Sequence, residues 1–145
     1  LFPYTTLFRS PSRNKVFLQG HLGQDQETKF TPNGVAVTTF SIATTHSVKK
    51  GEGEWEKITT WHRVKAWRVP EWMLAHLTKG ALVDVEGRIS NRSYEKDGVT
   101  KYVSEIVADA GGVNWLRAAM KGGPRDEDAL PERDLPPVDE SDVPF

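Results

Sequence analysis

The stretch EWEKITTWHRVKAW, residues 54–67, decides the fold and holds three of the chain's five tryptophans. In a β-strand, successive side chains point to opposite faces of the sheet. One face of this strand then carries large aromatic and basic side chains: Trp55, Lys57, Trp61, Arg63, Lys65 and Trp67, with Thr59 between them. The other face is smaller and more aliphatic: Ile58, Thr60, His62, Val64 and Ala66. This alternation predicts a strand whose aliphatic face meets the core.

Strand patterns also flank this stretch on both sides. Asn-Gly within TPNG, residues 31–34, predicts a hairpin turn between 27–30 and 35–45, because both residues tolerate positive φ. Further strands are predicted over 15–22, 81–92 and 99–107, the last two joined by the turn EKDG at 95–98. The one helix predicted between them, Pro70–Leu77, begins with proline and is followed by Lys79-Gly80. An all-β fold with five main strands, and a short helix between the third and fourth, is the order of the OB barrel.

The composition separates a basic body from an acidic tail. Residues 122–145 contain eight acidic residues and two arginines, which gives a formal charge of −6; because the whole chain carries −1, the rest carries +5. The tail has five prolines and no hydrophobic periodicity, so we expect it to be disordered. The body is expected to bind a polyanion. The absence of cysteine excludes disulfides and thiolate sites and fits a reducing cytoplasm.

The predicted organisation has four parts. Residues 1–12 form a leader without the pattern of a signal peptide; its first ten residues, LFPYTTLFRS, resemble a translated sequencing adapter and are expected to be non-native. Residues 13–112 form the OB domain, 113–138 a flexible linker, and 139–145 an acidic tip. Trp115 and Leu116 either dock on the barrel or lie free.

The aromatic face of residues 54–67 has two interpretations. Tryptophans are usually buried, which favours a core role. However, Lys57, Arg63 and Lys65 alternate with them, and burying three unpaired cations costs several kcal/mol each, on the order of the desolvation penalty of an ion. An open groove of rings and cations therefore fits better, and it suits single-stranded nucleic acid, whose bases stack on the rings while the cations meet phosphates. Protein interfaces also carry such patches.

With these residues established, the chain resembles the bacterial-type single-stranded DNA-binding protein family. The similarity covers about residues 13–112 and the last four residues. It includes NKVFLQGHLGQD (14–25), TPNGVAV (31–37), FSIAT (40–44), WHRV (61–64), LTKGALVDVEGRI (77–89) and DVPF (142–145). The resemblance implies an OB fold, a homotetramer, and binding of single-stranded DNA in replication, recombination and repair, without catalysis or cofactor. It implies a bacterial cytoplasm, or a phage or plasmid gene in a bacterial host.

The resemblance also assigns roles to residues. The stacking aromatics of the family map onto Trp61, Trp67 and Tyr94, and its basic positions onto Lys15, Lys29, Lys79 and Arg92. A further family tryptophan maps onto Val48, and we expect Trp55 to replace it. His62 falls at a position that lies in a subunit interface of the family.

The terminal residues Asp139, Glu140, Asp142, Val143, Pro144 and Phe145 correspond to the tip through which the family recruits replication, recombination and repair proteins. The linker differs from the long Gly- or Gln-rich linkers of most relatives, because it is short and rich in charge and proline.

Three alternatives remain open at this point. A replication-restart OB protein generally lacks the acidic, phenylalanine-ended tip. A metal-dependent nuclease would need fixed carboxylates, whereas Asp126, Glu127 and Asp128 fall in the predicted disordered segment. A purely structural adaptor would show no affinity for single strands. None of the four histidines has a spacing that suggests a metal site.

Overall fold

The structure is a computed structural model, and it describes residues 11–120. Most of the predicted leader, the linker beyond residue 120 and the tip at 139–145 lie outside the described residues. The expectations for disorder and partner binding in those segments therefore stay predictions.

The described chain forms a closed β-barrel with one short helix. The strands are β1 (Val16–Leu22), β2 (Glu27–Phe30), β3 (Ala36–Gly51), β4 (Glu54–Trp67), β5 (Leu82–Lys96) and β6 (Val99–Arg117), and α1 (Glu71–Leu74) lies between β4 and β5. The strand order is β1-β5-β6-β4-β3-β2, and an additional β1–β3 pairing closes five strands into the barrel. β2 is a four-residue arm on the edge of β3. The predicted OB class is thus confirmed.

The core lies inside this barrel, under α1. It is built from alternate residues of the long strands, and the helix contributes Met73 and the segment after it Leu77. The main members are Leu22, Phe40, Ile42, Val64, Ala66, Val83, Val85 and Ile106. Val64 and Ala66 belong to the aliphatic set of β4 and are buried in the core, as predicted, whereas Ile58 of the same set is 40% exposed. The apolar area that these side chains remove from water is the main stabilising contribution expected for a barrel of this size.

Three strands are longer, and the helix is shorter, than the sequence predicts. β5 continues past residue 92 to Lys96, and α1 covers Glu71–Leu74 rather than residues 70–77. β3 continues through the predicted polar loop to Gly51, because its pairing with β4 extends to Gly51 and Glu54. β6 continues past residue 112 to Arg117, and Val113 is buried in the core. Trp115 docks against the core, whereas Leu116 is 46% exposed. The last strand thus ends five residues beyond the predicted domain boundary, because Val113 and Trp115 fill the barrel end below the helix.

Gly20 permits the closure of the barrel. A Cβ at this position would lie 2.2 Å from the carbonyl oxygen of Ala43 on β3. Only glycine allows the backbones of β1 and β3 to approach this closely. The helix itself is short, and residues 11–120 contain no helix of the length and apolarity needed to cross a membrane.

Candidate nucleic-acid interface

The second face of β4 points away from the barrel interior and joins neighbouring strands into one surface, here called the outer face. Antiparallel pairing sets Trp61 beside Ala43, Arg63 beside Ser41 and Lys65 beside Thr39. The parallel pairing of β4 with β6 adds Glu105 and Val107, and the β5–β6 register adds Arg92 and Tyr94. The outer face therefore brings together the side chains predicted from residues 54–67 and two from β5.

The first half of β4 is exposed, as predicted for a binding surface. Trp55 is 66% exposed and pairs with Lys49 on the hairpin that β3 and β4 form beyond the core. Trp61 is half-buried, and its ring rests on the backbone of Gly23: a Cβ there would come within 2.5 Å of Trp61 Cζ3. Glycine at position 23 thus seats the indole of Trp61 while leaving part of the ring open.

The second half of β4 contradicts the predicted open groove. Trp67 is only 6% exposed and packs with Val37 and Val107 in a small apolar cluster on the outer side of the sheet. The side chain of Lys65 is 1% exposed. Both faces of the strand are therefore buried at this end, and the core interpretation of the tryptophans is correct for Trp67. Neither Trp67 nor Lys65 offers a surface to a ligand in this conformation.

A buried carboxylate explains why the cations tolerate burial. Glu105 is 1% exposed, and its Oε1 accepts hydrogen bonds from Lys65 Nζ at 3.3 Å and from Arg92 Nε at 2.5 Å. Arg63 Nε lies 3.5 Å from Glu105 Oε2, and the Arg63 side chain is 16% exposed. From the sequence these cations were expected to be unpaired, because Glu105 lies 40 positions from Lys65 in the chain and local patterns do not bring them together.

The sequence does carry one signal for Glu105. It is the only charged residue in YVSEIVA, residues 102–108, and Ile106 and Val107 beside it are both buried. A carboxylate in such a strand needs a cationic partner, because desolvation of an unpaired charge is costly. The strand order that supplies the partners is set by the parallel pairing of β4 with β6, which local patterns do not reveal.

Arg63 lies in a crowded electrostatic environment. Burial lowers the pKa of Arg63, Glu105 acts against this shift, and Arg92 adds to it; Tyr94 and Glu27 contribute smaller opposing effects. Tyr94 is half-buried two residues beyond Arg92 on β5. Arg63 also lines a cleft formed with residues 23–25 and the start of β3, next to the ring of Trp61. Arg63 and Trp61 are thus neighbours on β4, at the border between its exposed and buried halves.

The remaining predicted cations do not join this cluster. Lys15 pairs with Glu86 at 2.5 Å and also with Asp109, and hydrogen bonds first to Asp109 and then to Glu86 raise its pKa. Lys29 is exposed on β2 and lies 3.1 Å from Glu27. The backbone N–H of Lys79 donates to Asp25 in the segment after the helix. All three lie on the surface, and the structure places none of them against Glu105.

His62 lies on the opposite face of β4 from Trp61, as expected. It is half-buried, and its Nε2 lies 2.7 Å from the hydroxyl of Thr44. Burial lowers its pKa from the ordinary value. A single chain does not test the predicted role of His62 in a subunit interface.

Metal ligation finds no support in the described part of the chain. Residues 11–120 contain no group of three or more His, Asp or Glu side chains placed to hold a metal ion. Asp126, Glu127 and Asp128, which were considered as nuclease carboxylates, lie outside the described residues.

Comparison with known proteins gives one consistent result. The model of the Single-strand binding protein family matches residues 13–114. A Plasmodium falciparum single-stranded DNA-binding protein, solved in complex with single-stranded DNA, is similar with a TM-score of 0.66 and 26% identity, covering 76% of this chain and 98% of that one. A deletion mutant of the single-stranded DNA-binding protein from Thermus aquaticus has a TM-score of 0.63 and 31% identity over 72% of this chain. The match spans about half of that chain, 51%.

Proposed function

The chain belongs to the Single-strand binding protein family, and from this premise we propose that it binds and protects single-stranded DNA without catalysing a reaction. Binding is largely independent of sequence, because stacking on aromatic rings is available to every base. The observation that carries the proposal is the half-open aromatic and cationic border of the outer face, where Trp61 lies beside Arg63 and Trp55 extends the surface along the hairpin.

Exposure divides the roles of the outer face. Trp55, Trp61 and Tyr94 present the rings on which bases stack, and Arg63 and Arg92 supply positive charge at the rim of the Glu105 cluster. Lys65 and Trp67 form the floor beneath them: they support the surface and do not reach a base or phosphate unless their neighbours move. Lys15, Lys29 and Lys79 extend the path of the strand around the barrel.

A duplex is expected to bind this surface more weakly. Its phosphates are as accessible as those of a single strand, but its base faces are stacked on one another and hidden. A surface that gains most of its affinity from stacking, roughly 1–3 kcal/mol per base, therefore discriminates against double-stranded DNA.

The acidic tip at 139–145 is proposed to recruit proteins of replication, recombination and repair. An apolar ring beside the terminal carboxylate, preceded by proline and acidic residues, suits a basic pocket with an apolar floor. Deletion of residues 142–145 should abolish recruitment and leave DNA affinity unchanged or slightly higher at low salt, in a pull-down and a titration made side by side. Loss of DNA binding in the truncated chain would contradict this separation of roles.

The assembly is proposed to be a homotetramer in a bacterial cytoplasm, with His62 at a subunit interface. Exposed strand edges and apolar side chains such as Phe17 on β1, 69% exposed, favour pairing between copies. Light scattering at micromolar concentration tests this state, and a monomer there would contradict it.

Titration of the full chain with oligo-dT, followed by tryptophan fluorescence, tests the proposed function. We expect quenching that saturates, weaker binding to a duplex of equal length, and no cleavage of either DNA on incubation with Mg²⁺. Equal affinity for duplex and single strand, or the appearance of shorter fragments, would overturn the proposal.

A further inference from the structure

Glu105 pairs with the cations on the buried part of the outer face and holds them in place. Three cations that β4 and β5 place on the buried part of the outer face converge on this carboxylate: Lys65 and Arg92 through hydrogen bonds, and Arg63 across 3.5 Å. All four side chains are at least four-fifths buried, with exposures of 1% for Lys65 and Glu105, 14% for Arg92 and 16% for Arg63. The carboxylate therefore balances part of the positive charge of the cluster and pairs directly with Lys65 and Arg92.

Pairing with Glu105 weakens the contribution of these cations to phosphate binding. A cation that is paired to a buried carboxylate neutralises a phosphate less completely than a cation in solvent, so the cluster contributes less to phosphate binding than its three positive charges suggest. The adjacent rings of Trp61 and Tyr94 are not affected by this pairing. Weakening the phosphate contribution while keeping the stacking contribution raises the preference for strands with open bases.

We infer that Glu105 is a positioning and specificity-determining residue: by holding Arg63, Lys65 and Arg92, it limits phosphate-only binding, so that unpaired bases rather than charge select the ligand. The inference rests on the proposed function, because it concerns how the outer face separates single strands from duplexes. Glu105 itself touches no DNA, because it is 1% exposed and lies behind the cations.

Replacement Glu105→Gln tests this inference. The amide keeps the shape of the side chain and removes its charge, so Arg63 and Arg92, the two less deeply buried cations, are no longer held by a carboxylate at this position. We expect the slope of log affinity against log salt for oligo-dT to steepen by about 0.7 for each additional phosphate neutralised. Duplex affinity should rise by a larger factor than oligo-dT affinity at low salt, so the ratio of the two should fall.

The matched control is Glu56→Gln. Glu56 pairs with Lys50 at 3.2 Å on the exposed β3–β4 hairpin, where both side chains are about half or more exposed, at 49% and 66%. This variant removes the same formal charge without releasing a buried cation. We expect its salt slope and its preference for single strands to equal those of the parent.

In Glu105→Gln, Lys65 stays buried without the Glu105 carboxylate, so a second variant replaces both residues. Lys65→Met combined with Glu105→Gln removes the buried Lys65–Glu105 pair and also the carboxylate that Arg63 and Arg92 face, and replacement of a buried ion pair by residues of similar volume is often tolerated. We expect this double variant to show the steeper slope and the reduced preference for single strands.

The outcomes separate the inference from the proposed function. A parent that prefers oligo-dT, combined with a folded single or double variant whose slope and preference are unchanged, would overturn the role of Glu105 and leave the function intact. A parent without preference for single strands would overturn both. A change that is equal in Glu56→Gln would show a general charge effect and would also overturn the role of Glu105.

Discussion

The two halves of β4 carry the same sequence pattern in different surroundings. Residues 54–61 lie on a hairpin that extends past the core, where Trp55 is 66% exposed and Trp61 is half-buried. Residues 62–67 lie between β3 and β6, where Lys65 and Trp67 are buried at 1% and 6% exposure. The same alternation of rings and cations is therefore exposed in one half and buried in the other, and neighbouring strands decide which.

Replacement of Glu105 should produce the largest effect on stability. Removing one partner of a buried ion pair leaves an uncompensated charge, and such losses cost about 3–5 kcal/mol. We expect Glu105→Ala to lower the free energy of unfolding in urea by this amount. The control Glu56→Ala, on the exposed half of the same sheet, should cost less than about 1 kcal/mol. Similar costs for the two variants would show that the buried cluster does not support the barrel.

Replacement of Trp67 should also destabilise the fold. Truncation of a buried tryptophan removes its apolar contacts and leaves a cavity, which typically costs about 3–5 kcal/mol. We expect Trp67→Ala to lower the free energy of unfolding in urea by an amount in this range. Trp67→Phe should cost less, because it keeps an aromatic ring and removes an indole N–H that has no hydrogen-bond partner among the described residues. An unaltered unfolding midpoint for Trp67→Ala would place this ring in the exposed half.

Replacement of Trp61 should separate binding from stability. Loss of a stacking ring costs roughly 1–3 kcal/mol of affinity for a single strand. We expect Trp61→Ala to weaken oligo-dT binding by this amount, and to change the unfolding free energy less than Trp67→Ala does. Affinity equal to that of the parent would remove Trp61 from the interface.

Replacement of Trp55 tests how far along the β3–β4 hairpin a single strand binds. Trp55 lies farther along the hairpin, so its ring should stack only on strands long enough to reach it. We expect Trp55→Ala to weaken binding of a long oligo-dT by up to about 1–3 kcal/mol, and to affect a short one less. The same affinity as the parent at every length would reject Trp55 as a substitute for the aromatic ring lost at Val48.

The smallest effect concerns His62 and pH. Because burial lowers the pKa of His62 in the folded state, the unfolded state binds its proton at higher pH. The stability linked to neutral His62 is therefore complete above its ordinary pKa of 6.5 and declines as the pH falls through and below that value. The parent should lose more stability between pH 7.5 and 5 than His62→Gln does. An identical pH dependence in urea unfolding would exclude this contribution.

The sequence predicted the fold better than it predicted exposure. The aliphatic set of β4, the Asn-Gly turn and the isolated helix are local patterns, and they were sufficient for the barrel. Within the aliphatic set, Val64 and Ala66 reach the core, whereas Ile58 is 40% exposed. The burial of Lys65 and Trp67 depends on β6, which lies about 40 residues later in the chain and pairs with β4 in parallel. Local alternation shows which side chains share a face, but it does not show what covers that face.

Lys15 shows that local sequence patterns also cannot reveal charge partners from distant strands. The resemblance places Lys15 on the DNA path, and the structure adds that two carboxylates from β5 and β6, Glu86 and Asp109, pair with it. Spacing along one strand cannot reveal such partners. Where the partner lies in the same hairpin, as with Glu56 and Lys50, the pairing is accessible to a sequence argument.

Photochemical crosslinking of the full chain to oligo-dT, followed by identification of the modified peptides, tests the central division of the outer face most directly. We expect crosslinks at Trp61, with Trp55 and Tyr94 modified on longer strands, and no crosslink at the buried Trp67. Crosslinks confined to Trp67, or to Trp72 and Trp115 at the helix end of the barrel, would contradict it.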